Sequence, residues 1–140
     1  MASLQAHLRQ AQHNEKLAQQ LLVSLEYKDW VITITFYAAI HYVEAAFFQN
    51  PKIVHTEISK PRNYKGSYHD YRTKMIFENY PFEVWQSLRK LYEQSRIARY
   101  LYSPVERKFV EESGQEYFSD NDVRNFFQKD LAIIRQSLNF

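Results

Sequence analysis

Residues 29–48 read DWVITITFYAAIHYVEAAFF, a stretch without Gly or Pro that only Asp29, Thr33, Thr35, His41 and Glu44 interrupt. A helix apolar on nearly every side must be enclosed by protein or by lipid. Its length approaches that of a membrane span. Glu44 and His41 would then lie within the bilayer, and a carboxylate at that depth costs roughly 2.5–3.5 kcal/mol. The expectation is therefore a buried central helix in a soluble protein, with no membrane partner. Taken alone, the alternation of Ile32, Ile34 and Phe36 with Thr33 and Thr35 reads as a strand, but the unpunctuated run is longer than a usual strand. Trp30, Ile34, Tyr37, Ala38 and Val43 are expected deep in the core, because their helix lacks an adequate polar face.

The rest of the chain supports a helical reading. Its 140 residues suit one domain, and 2 Gly with 4 Pro supply few of the tight turns that hairpins need. Without Cys there is neither a disulfide nor a thiolate site. The N-terminal MASLQAHLRQAQHNEK lacks the apolar core of a signal peptide, so a cytoplasmic location is expected. Residues 4–25 place Leu4, Leu8, Ala11, Ala18, Leu22 and Leu25 on one stripe, widened by Leu17 and Leu21. Asp29 reads as N-cap of the central helix, which Asn50-Pro51 ends. Residues 51–66 read as a loop. Ser67 and Asp70 form a capping box for a short helix ending near Tyr80. Pro81 opens a helix with Phe82, Trp85, Leu88, Tyr92, Ser95, Ala98 and Tyr102 on one face, and Pro104 stops it. Ser103 and Glu106 suggest a cap for a short helix ending near Gly114. Ser119 and Asp122 cap a last helix with Val123, Phe126, Phe127, Leu131, Ile134 and Leu138 inward. The expected fold is all-α over residues 1–140: an antiparallel up-and-down bundle of four main helices plus one or two short ones.

Charge is uneven. From Lys52 to Lys74, the six cations Lys52, Lys60, Arg62, Lys65, Arg72 and Lys74 face only Glu57 and Asp70, a balance of +4. Tyr64, Tyr68 and Tyr71 are interleaved with them, and Arg89, Lys90, Arg96 and Arg99 follow. Cations for phosphates and rings for bases are what single-stranded RNA requires. The plainer alternative is a solvated loop whose Tyr rings pack inward. Lys60, Lys65, Arg72, Arg96, Arg99 and Tyr68 are the nucleic-acid-binding candidates, although Arg96 and Arg99 could equally be partners of buried acids. His69, Arg62 and Asn63 are the catalytic candidates: an imidazole exchanges protons near neutral pH, and a fixed guanidinium stabilises charge developing on a phosphate. His41 and Glu44 share a helix face at i, i+3, but the order is reversed from a di-iron pair and no second pair exists. His41 is read as a hydrogen-bonded core residue, and no metal or cofactor is expected.

Asp29-Trp30, Phe36-Tyr37-Ala38-Ala39-x-His41-Tyr42, His69-x-x-Arg72 and Ser95-Arg96-x-x-Arg99-Tyr100 occur in an order that resembles the HEPN superfamily, the "higher eukaryotes and prokaryotes nucleotide-binding" helical domains. Small prokaryotic stand-alone members are the most similar, and the likeness covers about residues 12–102. The resemblance implies an up-and-down bundle, often homodimeric, that binds or acts on RNA or nucleotides. It also implies a role in toxin–antitoxin, phage-defence or CRISPR-linked systems, with a cognate antitoxin or other protein as a further partner. A subset of members are metal-independent RNases that use Arg-x(4–6)-His, and Arg62-Asn63…His69 has that spacing. Active members carry the motif on or near a late helix, whereas here it follows the second long one. Other members are inactive binding or scaffold modules, so a non-catalytic homodimeric interaction module is the rival expectation.

Overall fold

The computed structural model describes residues 3–53 and 65–140. Among the described residues the fold is an all-α bundle with one minimal hairpin. Helix α1 (Leu4–Leu22) is capped by Ser3, whose Oγ accepts the Ala6 N–H at 3.1 Å. It buries His7, Ala11, Ala18 and Leu22, whereas Leu17 stays exposed. Helix α2 (Lys28–Gln49) is the centre of the fold and packs against α1, the fourth helix and the C-terminal helix. By length and composition it could cross a membrane, and 78% of its most apolar window is buried inside the fold.

Two expectations about α2 need correction. Its N-cap is Tyr27, and Asp29 lies within the first turn, where a carboxylate favours the positive end of the helix dipole. Ala38 and Val43 are fully buried as expected, but Trp30 is 56% exposed, Tyr37 is 38% exposed and Ile34 is half-buried. The reason is helical geometry. Trp30, Ile34, Tyr37 and His41 follow one another at spacings of four, three and four, and this stripe is the side of α2 least covered by neighbouring helices.

Helix α3 (Tyr68–Asn79) opens with the expected reciprocal cap: the Ser67 Oγ accepts the Asp70 N–H, and the Asp70 carboxylate accepts the Ser67 N–H at 2.8 Å. Helix α4 (Phe82–Tyr100) follows Pro81 and ends at Leu101, which adopts a left-handed conformation with φ 57°. The short helix expected from Ser103 is instead a hairpin of β1 (Tyr102–Ser103) and β2 (Lys108–Phe109). Ser103 does accept a backbone N–H three residues on, from Glu106. Here that contact closes a turn, because Arg107 takes φ 56° and donates back to the Ser103 carbonyl at 2.8 Å.

The C-terminal region contains α5 (Gly114–Tyr117), α6 (Asp120–Asn125), a π-helical turn (Phe126–Leu131) and α7 (Ala132–Ser137). Ser119 caps α6 as expected. The π turn buries Asp130 next to Leu131, and Ser87 donates to Asp130 at 3.3 Å while Lys90 lies 3.3 Å from its other oxygen. At the far end, Tyr42 and Arg135 both donate to Glu15, at 2.7 and 2.8 Å, and tie α1, α2 and α7 together. Burial and the adjacent Glu15 carboxylate push the Tyr42 phenol well above its usual range, so it remains protonated and donates.

Ala38 is wholly buried, so Ala38→Glu would enclose an unpaired carboxylate. It is expected to cost at least about 4 kcal/mol, enough to abolish cooperative unfolding. Tyr37→Glu, one residue away on the open side, is expected to fold. Circular-dichroism melts of the two variants check this.

Candidate nucleic-acid interface

The site begins with a buried charge. Glu44 is 1% exposed on α2. A carboxylate in that setting requires a charged partner, and Arg72 of α3 supplies it through a short Nε–Oε1 ion pair. A terminal nitrogen of Arg72 also lies 3.3 Å from the His69 Nδ1. A guanidinium only donates, so this Nδ1 must be the accepting, unprotonated nitrogen and the ring proton resides on Nε2. The imidazole packs against Phe36 and Tyr92, with ring centres 5.5 and 5.4 Å away. Its pKa falls from the ordinary 6.5 to about 4, first through burial and then through the positive charges of Arg72 and Arg99, with Asp70 opposing. His69 is thus a neutral donor at physiological pH.

A second cation sits beside it. Arg99 of α4 donates from Nε to the Ser95 carbonyl at 3.2 Å, from one terminal nitrogen to the Ser95 Oγ at 3.2 Å and from the other to the Tyr37 hydroxyl at 3.0 Å. Its guanidinium lies 5.5 Å from the centre of the Tyr37 ring and 5.0 Å from that of Tyr100. Arg96 lies over the Tyr100 ring at 4.7 Å. Ser95 is fully buried, and its small side chain is what lets Arg99 fold back along α4. The sequence left two roles open for Arg96 and Arg99. Among the described residues the buried Glu44 is partnered by Arg72 and the buried Asp130 by Lys90, while Arg96 and Arg99 rest on aromatic faces. Between the start of α2 and the end of α4 lies a cleft of about 410 Å³, walled by Asp29, Trp30, Tyr37, Arg99 and Tyr100.

His69, Arg72, Arg96 and Arg99 therefore share one region: the charges of all three arginines act on the imidazole. Lys65 and Tyr68 are exposed where the chain enters α3. Lys60, Arg62 and Asn63 lie outside the described residues. His41 meets His7, Nδ1 to Nδ1, at 2.9 Å. No cluster of three or more metal-ligating side chains occurs among the described residues. The Glu44–Arg72 pair and the exposed ring wall of Trp30 and Tyr37 are not among the features expected from the sequence. The signal for the wall was the seven-residue spacing of these two rings, which puts them on one helical face with Thr33 between them.

Comparison with family models, with curated proteins and with solved structures finds no match for this chain.

Two outcomes follow from the buried charges. Glu44→Ala strands Arg72 and should cost about 3–5 kcal/mol in urea unfolding, with part of the loss restored by adding Arg72→Met. For His69 the folded pKa lies below the unfolded one, so the unfolded chain binds more protons between pH 6.5 and 4. The stabilisation is complete above about pH 6.5 and is lost as pH falls toward 4. His69→Gln should flatten that part of the stability curve by on the order of 1–2 kcal/mol, a figure reduced for the solvent that reaches the ring.

Proposed function

We propose that this chain is a HEPN-like helical module that binds single-stranded RNA on the face formed by α2, the start of α3 and the end of α4. The observation that carries this reading is the Arg99–Tyr37–Tyr100 stack with Arg96 beside it, open to solvent and adjacent to a neutral His69. Cations on exposed rings offer phosphates a charge and bases a stacking surface at the same place. Lys65 and Tyr68, exposed where the chain enters α3, offer a further cation and ring, and action on RNA would belong to the cytoplasm.

The geometry supports binding better than cleavage. A general base needs a bare nitrogen with a pKa near that of the medium. The bare Nδ1 of His69 is engaged by Arg72, Nε2 carries the proton, and the pKa is about 4. The ring is suited to donating a hydrogen bond to a phosphate or base oxygen.

A separate observation favours homodimer formation alongside RNA binding. Phe77 and Phe82 are each more than half exposed and, with Trp85, form a ring cluster with centres 5.1–6.3 Å apart. A second copy placed by two-fold symmetry would cover each cluster with its equivalent.

Fluorescence anisotropy with a labelled RNA dodecamer tests the main reading. Four engaged cations should give a log–log salt slope of about −3, at roughly 0.7 per phosphate. Arg99→Ala should make the slope shallower and weaken binding to all sequences alike. Mixed RNA incubated with the protein in EDTA should remain uncut. Salt-independent binding, or none, would contradict the reading. Light scattering should give about twice the 16.9 kDa chain mass, and Phe77→Ser/Phe82→Ser should return a monomer.

A further inference from the structure

Resting on the RNA-binding reading, we infer that the cleft between the first turn of α2 and the last turn of α4 is a pocket for one unstacked guanine base. The cleft combines three features. Trp30, which is 56% exposed, supplies a ring on which a flat heterocycle can stack, while Tyr37 and Tyr100 carry the Arg99 guanidinium. Asp29 and Arg99 both line the cleft, and among the described residues no ion pair joins the two. The volume of about 410 Å³ leaves space for a purine.

The charged groups determine which base. A carboxylate accepts two hydrogen bonds side by side. Among the four RNA bases only guanine presents adjacent donors, N1–H and the 2-amino group, on its Watson–Crick edge. Adenine and cytosine each place a ring acceptor next to their amine, and uracil flanks N3–H with two carbonyls. Guanine's other edge, O6 and N7, accepts a pair of N–H groups from arginine. Arg99 is preset for this, because its contacts to Ser95 and Tyr37 use one N–H on each nitrogen. A second N–H remains on each terminal nitrogen.

Aromatic walls with a nearby carboxylate also describe a cage for quaternary ammonium ligands. That occupant fits poorly here. The Arg99 guanidinium already lies against Tyr37 and Tyr100, so a ligand cation would meet a positive charge at the faces it needs. A neutral ring rich in acceptors on one edge and donors on the other suits the site better.

The backbone fixes Asp29 in place. Gln115 of α5 accepts from the Lys28 N–H at 2.6 Å and donates to the Leu25 carbonyl at 2.8 Å, which locks the corner preceding α2. Gly114 brings α5 so close that a Cβ there would stand 2.8 Å from the Asp29 Cβ. The same Cβ would lie 3.5 Å from the Asp29 carboxyl carbon, so the Asp29 side chain packs along α5 at the edge of the cleft.

The test uses the full chain and four labelled decauridines, one unmodified and three with a single central guanosine, inosine or adenosine. The guanosine probe should bind about tenfold more tightly than the unmodified one. Inosine, which lacks only the 2-amino group, should lose most of that gain, and adenosine should lose all of it. This arm does not depend on whether a variant folds. In Asp29→Asn the ratio of guanosine to uridine affinity should fall to about one. Equal binding of guanosine and inosine, a ratio unchanged in Asp29→Asn, or displacement of the guanosine probe by choline would each overturn the inference. If all four probes bind alike with a steep salt slope, the guanine pocket fails while the RNA-binding reading stands. If none binds, both fail.

Discussion

The buried Glu44 carboxylate is the constraint around which this molecule is arranged. It sits on a helix enclosed by others on most sides, where an unpartnered charge would cost more than the fold can absorb. Arg72 answers it from α3. Because Arg72 is held, the first turn of α3 is held against α2, and His69 one turn earlier is pressed onto Phe36 and Tyr92. Burial is the first reason the imidazole stays unprotonated, and the guanidinium that neutralises Glu44 is the second. A structural ion pair thereby adds to the chemistry of the group next to it.

Helix α2 has two roles. Its Ala38, Ala39 and Val43 side is core, whereas its Trp30 and Tyr37 side is the wall of a cleft. The second side keeps large rings exposed, which costs burial that a purely structural helix would recover. Arg99 covers part of that surface with its guanidinium while leaving N–H groups open. Rings and cation together form the proposed RNA face, and the same stripe continues toward His41 and its contact with His7 at the far half of the helix.

Much of the bundle is legible in the sequence. The apolar run of α2, the Ser67–Asp70 capping box, the Pro81 start of α4 and the Ser119 cap each act locally, through contacts a few residues apart, and each appears where its residues imply. What is not legible depends on partners distant in the chain or on backbone geometry. Ser103 makes the same side-chain contact in a turn as in a cap, and only the left-handed Arg107 separates the two. Trp30 and Tyr37 differ from Ala38 in which neighbours surround α2, and periodicity within α2 does not say which side those neighbours cover. Asp130 enters the core because a π turn admits it, a feature no heptad count exposes. At the site, His69, Arg72, Arg96 and Arg99 were visible as residue types, but the assignment of Arg72 to Glu44 and of Arg99 to a ring stack required the three-dimensional arrangement.

The central claim is that Arg72, anchored by Glu44, holds His69 as a neutral donor within an arginine–aromatic surface. Long-range proton–nitrogen correlation spectra of the His69 ring, recorded from pH 3.5 to 8, measure this directly. The account predicts a protonated Nε2 and a bare Nδ1 across the neutral range, with titration near pH 4. Titration near the ordinary 6.5, or a neutral ring with its proton on Nδ1, would contradict it.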